Sequence, residues 1–172
     1  MHYGEIIRAD SANGPGIRLS LFVSGCTNRC DGCFQPETWD FNYGPIYTIA
    51  IEDFIIKELS KPYYRGLTIL GGEPLEQANQ PEVWQLIARV RRDLPKRDIW
   101  IFTGFTYERD LQKGQRRHTS YTDDILDNID VLVDGKFIQR LRNISLRFRG
   151  SENQRLIDMP RTRESGQVIL WE

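Results

Sequence analysis

The sequence predicts an α/β fold of mainly parallel strands, arranged as a partial (β/α) barrel. Two observations carry this. Short, apolar, strand-like runs alternate with amphipathic helical runs in the order strand, helix, strand, helix, which implies parallel strands joined by right-handed crossovers. Gly71 to Pro74, Thr103 to Phe105 and Asp134 to Lys136 also lie at the carboxyl ends of the strand-like runs, and in such architectures the loops at those ends build the site.

The first strand is expected over Ile17 to Gly25, where Leu19, Leu21 and Val23 alternate with Ser20 and with Phe22 between them. It delivers Cys26 from its carboxyl end. After a loop containing Pro36, Asn42, Gly44 and Pro45, the run IAIEDFIIKELS places Ile51, Phe54, Ile55 and Leu59 at helical spacing and should stop before Pro62. A second strand, from Gly66, runs into the glycine turn at Gly71 and Gly72 and ends at Pro74.

The next helix shows Val83, Trp84, Leu86, Ile87 and Val90 on one face and ends before Pro95; Asn79 and Glu82, three apart, read as a capping box at its start. Asp98 to Gly104 is a third strand, YTDDILDNI a short helix, and Asp130 to Gly135 a fourth strand. From about 136 to 163 the chain turns irregular and basic, with eight Lys or Arg against Glu152 and Asp158, and QVILWE is expected to add a last strand. No repeat, low-complexity tract or long linker divides the chain, so residues 1–172 are expected to form one domain.

Composition narrows the partners. With 40% hydrophobic and 27% charged residues the 172-residue chain suits one globular core, and a formal net charge of −1 gives no long-range attraction to nucleic acid or an anionic membrane. Glu5, Arg8 and Asp10 stand where a signal peptide needs an apolar core, and no apolar run matches a bilayer. A cytoplasmic protein is expected, with neither nucleic acid nor membrane as partner.

Cysteine usage is sharper. Cys26, Cys30 and Cys33 fall within eight residues and no others exist, which is no disulfide framework but suits metal or redox chemistry. One loop, 26–33, can wrap three thiolates around a compact inorganic core. Closed structural zinc needs a fourth ligand, and the only histidines, His2 and His118, are distant in sequence; a zinc-binding interaction module stays open only if folding brings His118 close. An electron-transfer [4Fe-4S] cluster normally takes four cysteines, so here one iron would be left open to a small molecule offering an amino and a carboxylate group, as S-adenosylmethionine (SAM) does.

The CxxxCxxC loop, with NGPGIR, LFVSGC, GCFQPETW, GGEPL, DIWIFTGF, VLVDGKF and RFRGSENQR in order, resembles the anaerobic ribonucleoside-triphosphate reductase activating proteins of the radical SAM superfamily over nearly the whole chain. The resemblance implies a radical SAM oxidoreductase whose barrel is smaller than the usual radical SAM barrel. It implies reductive cleavage of SAM at a [4Fe-4S] cluster and hydrogen abstraction from a glycine of the reductase, leaving a glycyl radical on that larger subunit. Cys26, Cys30 and Cys33 would ligate the cluster, and Gly32, Cys33, Phe34, Gly71, Gly72 and Glu73 would bind SAM, with Glu73 or a neighbouring carbonyl accepting from its ammonium. Gln35 stands where the family pattern has asparagine.

By the same resemblance, a low-potential donor such as flavodoxin or ferredoxin would supply the electron. Another glycyl radical enzyme, such as pyruvate formate-lyase, is the alternative target. Thr103 to Phe105 would line the adenosine side or simply turn through Gly104. Asp134 and Lys136 would meet cofactor or partner or form a charged turn; Arg147, Arg149 and Arg155 would dock an acidic surface or nucleic acid or form a solvated face, and the family match of RFRGSENQR favours partner docking or closure of the SAM site. Trp39, Trp84, Trp100 and Trp171 read as packing residues.

Overall fold

A computed structural model describes residues 1–172. Six strands form one sheet in simple sequential order: β1 (Tyr3–Asp10), β2 (Arg18–Val23), β3 (Gly66–Gly71), β4 (Asp98–Phe102), β5 (Val131–Asp134) and β6 (Arg155–Asp158). The four strands expected from sequence, β2 to β5, are mutually parallel, and the outermost two are antiparallel additions at either edge. The sheet is that of a small, partial barrel. Four helices, α1 (Ile49–Leu59), α2 (Gln80–Asp93), α3 (Thr122–Asp127) and α4 (Met159–Ser165), complete it, and no helix is long and apolar enough to cross a membrane.

Alternation along the strands gives the sheet two different faces. Leu19, Leu21 and Val23 of β2, Leu67 and Ile69 of β3, Ile99 and Ile101 of β4 and Leu132 of β5 are buried in one cluster with Ile55 and Leu59 of α1, Val83, Leu86, Ile87 and Val90 of α2, and Ile125 of α3. The opposite face carries Ser20, Phe22, Thr68, Leu70, Trp100, Phe102, Val131, Val133 and Leu156, in register with one another across the strands. This second face is the barrel interior. At its lower end Trp100 meets Trp171 and Phe148 edge-on, with ring centroids 5.0 and 5.5 Å away, so Trp100 and Trp171 are packing residues as their apolar surroundings suggested.

Arg18 plugs the same end. It is completely buried, donates from Nε to Thr68 Oγ1 (2.6 Å) and from Nη2 to the Leu67 carbonyl (2.8 Å), pairs with Asp98 at 2.6 Å, and lies over the Trp100 ring. Burying a guanidinium is costly unless its donors are met, and here each of its three nitrogens is engaged, by Thr68, Leu67 and Asp98. The bottom of the barrel is therefore closed by polar bonds and aromatic packing, which leaves only the carboxyl ends of the strands open.

Three expectations need correction. The N-terminal segment, read only for its lack of a leader, is β1; its half-exposed edge position and its register shifts between Tyr3 and Glu5 and between Ile7 and Asp10 blur any period-two pattern. The basic stretch contains β6 and α4, while QVILWE forms a single bridge, Leu170 to Ile157, instead of a strand. Asn79 and Glu82 form no capping box: Asn79 already has helical backbone angles, and its amide donates to the Ser24 and Glu73 carbonyls (2.9 and 3.0 Å), whereas Glu82 holds the Met1 amino group at 2.8 Å.

Arg18→Leu should lower the free energy of unfolding by about 3 kcal/mol, the low end for removing one partner of a buried pair because Arg65 still reaches Asp98 at 2.9 Å. Urea denaturation of the metal-free protein measures it.

Candidate metal centre

The cysteine loop has almost no regular structure of its own; its shape is imposed by bonds to other segments. At its start the Gly25 N–H donates to the Thr38 carbonyl (2.8 Å) and the Cys26 N–H to the Trp39 carbonyl (3.3 Å), while the Gly25 carbonyl accepts from the Glu73 N–H (2.9 Å). Gly25 has φ +95°, and a Cβ there would stand 2.3 Å from the Phe41 ring, so only glycine fits. Further along, the Thr27 N–H and Oγ1 both donate to Glu76 Oε1 (2.7 and 2.5 Å), and Arg117 bridges Glu76 Oε2 (3.1 Å) and Thr27 Oγ1 (2.9 Å) while lying over the Phe105 ring.

Glu73 is the centre of this bracing. Its carboxylate is wholly buried and accepts from Asn28 Nδ2 (2.8 Å), Thr103 Oγ1 (2.7 Å), Gly104 N–H (2.7 Å) and Leu75 N–H (3.0 Å). One side chain thus joins the cysteine loop, the end of β4 and the turn after β3. Burial pushes its pKa up to about 7, against the pull of the Thr103, Leu75 and Gly104 donors.

Above this brace lies a cavity of about 530 Å3, within the range of small-molecule sites. All three cysteines line it, together with Phe34, Gly71 and Gly72, and also Thr103 and Gly104 at the end of β4. The interior residues Phe22, Leu70 and Phe102 form its floor, and Phe137, Gly135 and Gln154 its far wall. In the sequence Phe22, Leu70 and Phe102 are strand residues with no site signature of their own. Their alternation with Leu21, Ile69 and Ile101, which face the helices, was the available signal.

Not every expected residue reaches this cavity. Gly32 does not line it: φ is +71° and a Cβ would stand 2.4 Å from Gln139 Oε1, so Gly32 allows the later segment to close over the loop. The Glu73 side chain lies behind the wall with its oxygens committed to the protein, Phe105 is buried in the helix-side core, and Asp134 is buried against Arg155 and the Tyr107 N–H (2.9 Å). Arg155 bridges Asp134 and Glu108, which makes it a brace beneath the wall. Gly71 has φ +103° and a Cβ there would stand 2.8 Å from Val23 N; at Gly72 it would stand 2.8 Å from the Gly25 carbonyl. These glycines are required by backbone packed on backbone and also border the cavity.

The donor set suits a polynuclear cluster. The thiols of Cys26, Cys30 and Cys33 are all free, and they face one cavity, yet no three His, Cys, Asp or Glu side chains converge on a point as a lone ion demands. Neither histidine joins them: His118 Nε2 is bound to Asp123 (2.9 Å) and His2 Nδ1 to the Gly44 carbonyl (2.9 Å). Burial, reinforced by Glu73, pushes the Cys26 thiol up to about 11, and burial also raises Cys30 against the nearby Lys136 charge. Metal loading must displace those protons.

Residues 12–157 match the family model described as a 4Fe-4S single cluster domain. The chain is 41% identical over 156 residues to the anaerobic ribonucleoside-triphosphate reductase-activating protein of Escherichia coli K12, covering 90% of this chain and 96% of that one. It is 43% identical, with the same coverage, to the protein of that name from Vibrio cholerae, and 38% identical to that of enterobacteria phage T4, over 91% of this chain and 93% of the phage protein.

Glu73→Gln, which turns an NH2 toward donors, should cost about 2 kcal/mol of stability and raise the rate of thiol labelling in the metal-free protein. Because the folded pKa of about 7 exceeds the ordinary 4.5, the folded state binds the extra proton between them. The proton-linked part of the Glu73 contribution to stability is therefore full below about pH 4.5 and is lost as pH rises to about 7. Denaturation of the metal-free protein at stepped pH should show that slope in the wild type and its loss in Glu73→Gln.

Proposed function

The chain belongs to the anaerobic ribonucleoside-triphosphate reductase-activating proteins, built on a 4Fe-4S single-cluster domain, and we propose that it installs a glycyl radical on such a reductase by reductive cleavage of SAM. The observation that carries this reading is the meeting of three free cysteines, and no fourth, with a cavity large enough for a small molecule. Cys26, Cys30 and Cys33 would hold the cluster, with one iron left for the amino and carboxylate groups of SAM. When bound and reduced, the cluster supplies the electron that splits the sulfonium into methionine and a 5'-deoxyadenosyl radical able to take a hydrogen atom from glycine.

The protein's part is placement. Gly71 and Gly72, without side chains, leave bare main chain at the cavity wall, and a main-chain carbonyl there would suit the SAM ammonium because the Glu73 carboxylate is already saturated. Thr103 and Gly104 border the cavity at the end of β4 and supply the adenosine side. Phe22, Leu70 and Phe102 make the floor apolar, which keeps water from a reactive radical. Phe34, 74% exposed, stands at the mouth, where the target glycine would enter.

A reductase is favoured over pyruvate formate-lyase as target because these relatives align with almost the full chain on both sides. The large reductase subunit and a low-potential flavodoxin or ferredoxin are the partners of this reading, in the cytoplasm, without nucleic acid or membrane. The near-neutral charge agrees with it.

Anaerobically reconstituted protein should bind about four irons per chain and, with reductant and SAM, release 5'-deoxyadenosine and give a glycyl spin signal on the reductase. Cys26→Ala, Cys30→Ala or Cys33→Ala should each abolish all of these. Stoichiometric zinc without sulfide, or no 5'-deoxyadenosine with the reductase present, would refute the reading.

A further inference from the structure

Phe137 and Gly150 of the cavity lining belong to a segment whose composition the catalytic reading does not use. Between Lys136 and Gly150 there are five Lys or Arg (Lys136, Arg140, Arg142, Arg147 and Arg149) and no Asp or Glu. With 23 basic and 24 acidic residues in the chain, 18 and 24 remain elsewhere, so a +5 segment sits on a body of formal charge −6. Solvated surface arginines of this protein are commonly neutralised at home: Arg89, Arg92, Arg116 and Arg155 all pair with carboxylates. None of the five does. Arg142 and Arg147 lie instead over the rings of Phe34 and Phe148, and Glu152, the next acid, is engaged by Asn143 at 3.0 Å.

The segment also presents apolar surface. Ile144 is 88% exposed, and Phe34, packed against Phe137 of the same segment and covered by Arg142, is exposed at the mouth. Its position is fixed from below: Gln139 covers Gly32 of the cysteine loop, and Gln154 accepts from the Gly150 and Ser151 N–H groups (2.9 and 3.1 Å) and donates to the Gly135 carbonyl (3.0 Å). A firmly anchored, uncompensated cationic strip with an exposed apolar residue is a surface arranged for a partner of opposite charge.

We propose that the Lys136–Gly150 segment is the docking surface for an acidic patch on the reductase, guiding its glycine-bearing loop to the cavity mouth. The choice of partner rests on the activase reading above; the acidic chemistry follows from the strip itself. Opposite charges would speed encounter and fix orientation, while Ile144 and Phe34 would supply the dry contact at the centre.

The test compares cluster-loaded wild type with Arg140→Glu/Arg142→Glu and with Ile144→Ser, all three substituted residues being exposed and outside the cavity wall. Circular dichroism and reductase-independent SAM cleavage with a chemical reductant should be unchanged. The double reversal should weaken reductase binding by about tenfold or more and flatten its salt dependence, with the glycyl signal falling in proportion; Ile144→Ser should weaken binding without altering the salt slope. Unchanged reductase affinity in the double reversal overturns the proposal, and so does a loss confined to reduction by flavodoxin or a wild type that prefers a single-stranded oligonucleotide to the reductase. A wild type that cleaves SAM yet never yields a glycyl signal refutes the activase reading itself, and the choice of partner with it.

Discussion

The buried carboxylate of Glu73 is the point on which the rest of the site depends. A carboxyl group cut off from water is tolerated only when its oxygens are met by hydrogen-bond partners, and here four donors come from three segments that share no regular hydrogen bonding. The cysteine loop, the turn after β3 and the end of β4 are thereby held in one arrangement. Glu76 repeats the device a turn later, tying Thr27 of the loop to Arg117. Ordering an irregular loop costs backbone entropy residue by residue, and these two carboxylates offset that cost where no helix or strand could.

The two-faced sheet supplies the frame. Helices cover one face with aliphatic packing, Arg18 and the Trp100 cluster close the lower end of the other, and the only opening left is at the carboxyl ends of β2 to β5. The antiparallel strands β1 and β6 finish the two edges without adding further crossover units. A short barrel of this kind surrounds a small molecule on several sides and leaves its mouth to be completed from outside.

Much of this could be read from residues alone, for identifiable reasons. Strands β2 to β5 are buried on both faces and bounded by glycines, and α1 and α2 carry continuous apolar stripes, so short-range pattern suffices. The three cysteines announced themselves by spacing and by the lack of a fourth. The edges were illegible because β1 alternates imperfectly around its bulges and β6 has only four residues, within a basic stretch. Asn79 misled because its spacing to Glu82 imitates a cap, although the amide is spent on Ser24 and Glu73. Glu73 itself was read as a cofactor contact; its function as a brace depends on Asn28, 45 positions earlier, and Thr103, 30 later, which no local pattern reveals.

The sequential order of the sheet also sets a chronology. Synthesis delivers Cys26, Cys30 and Cys33 early, whereas everything that shapes their loop arrives afterwards: Glu73 and Glu76 first, then Thr103 and Arg117, and last Gln139 over Gly32. During translation the three thiols are consequently part of a pliable stretch while the far wall of the cavity has yet to be made. The far wall and the Gln139 contact over Gly32 are therefore the last parts of the site to be made.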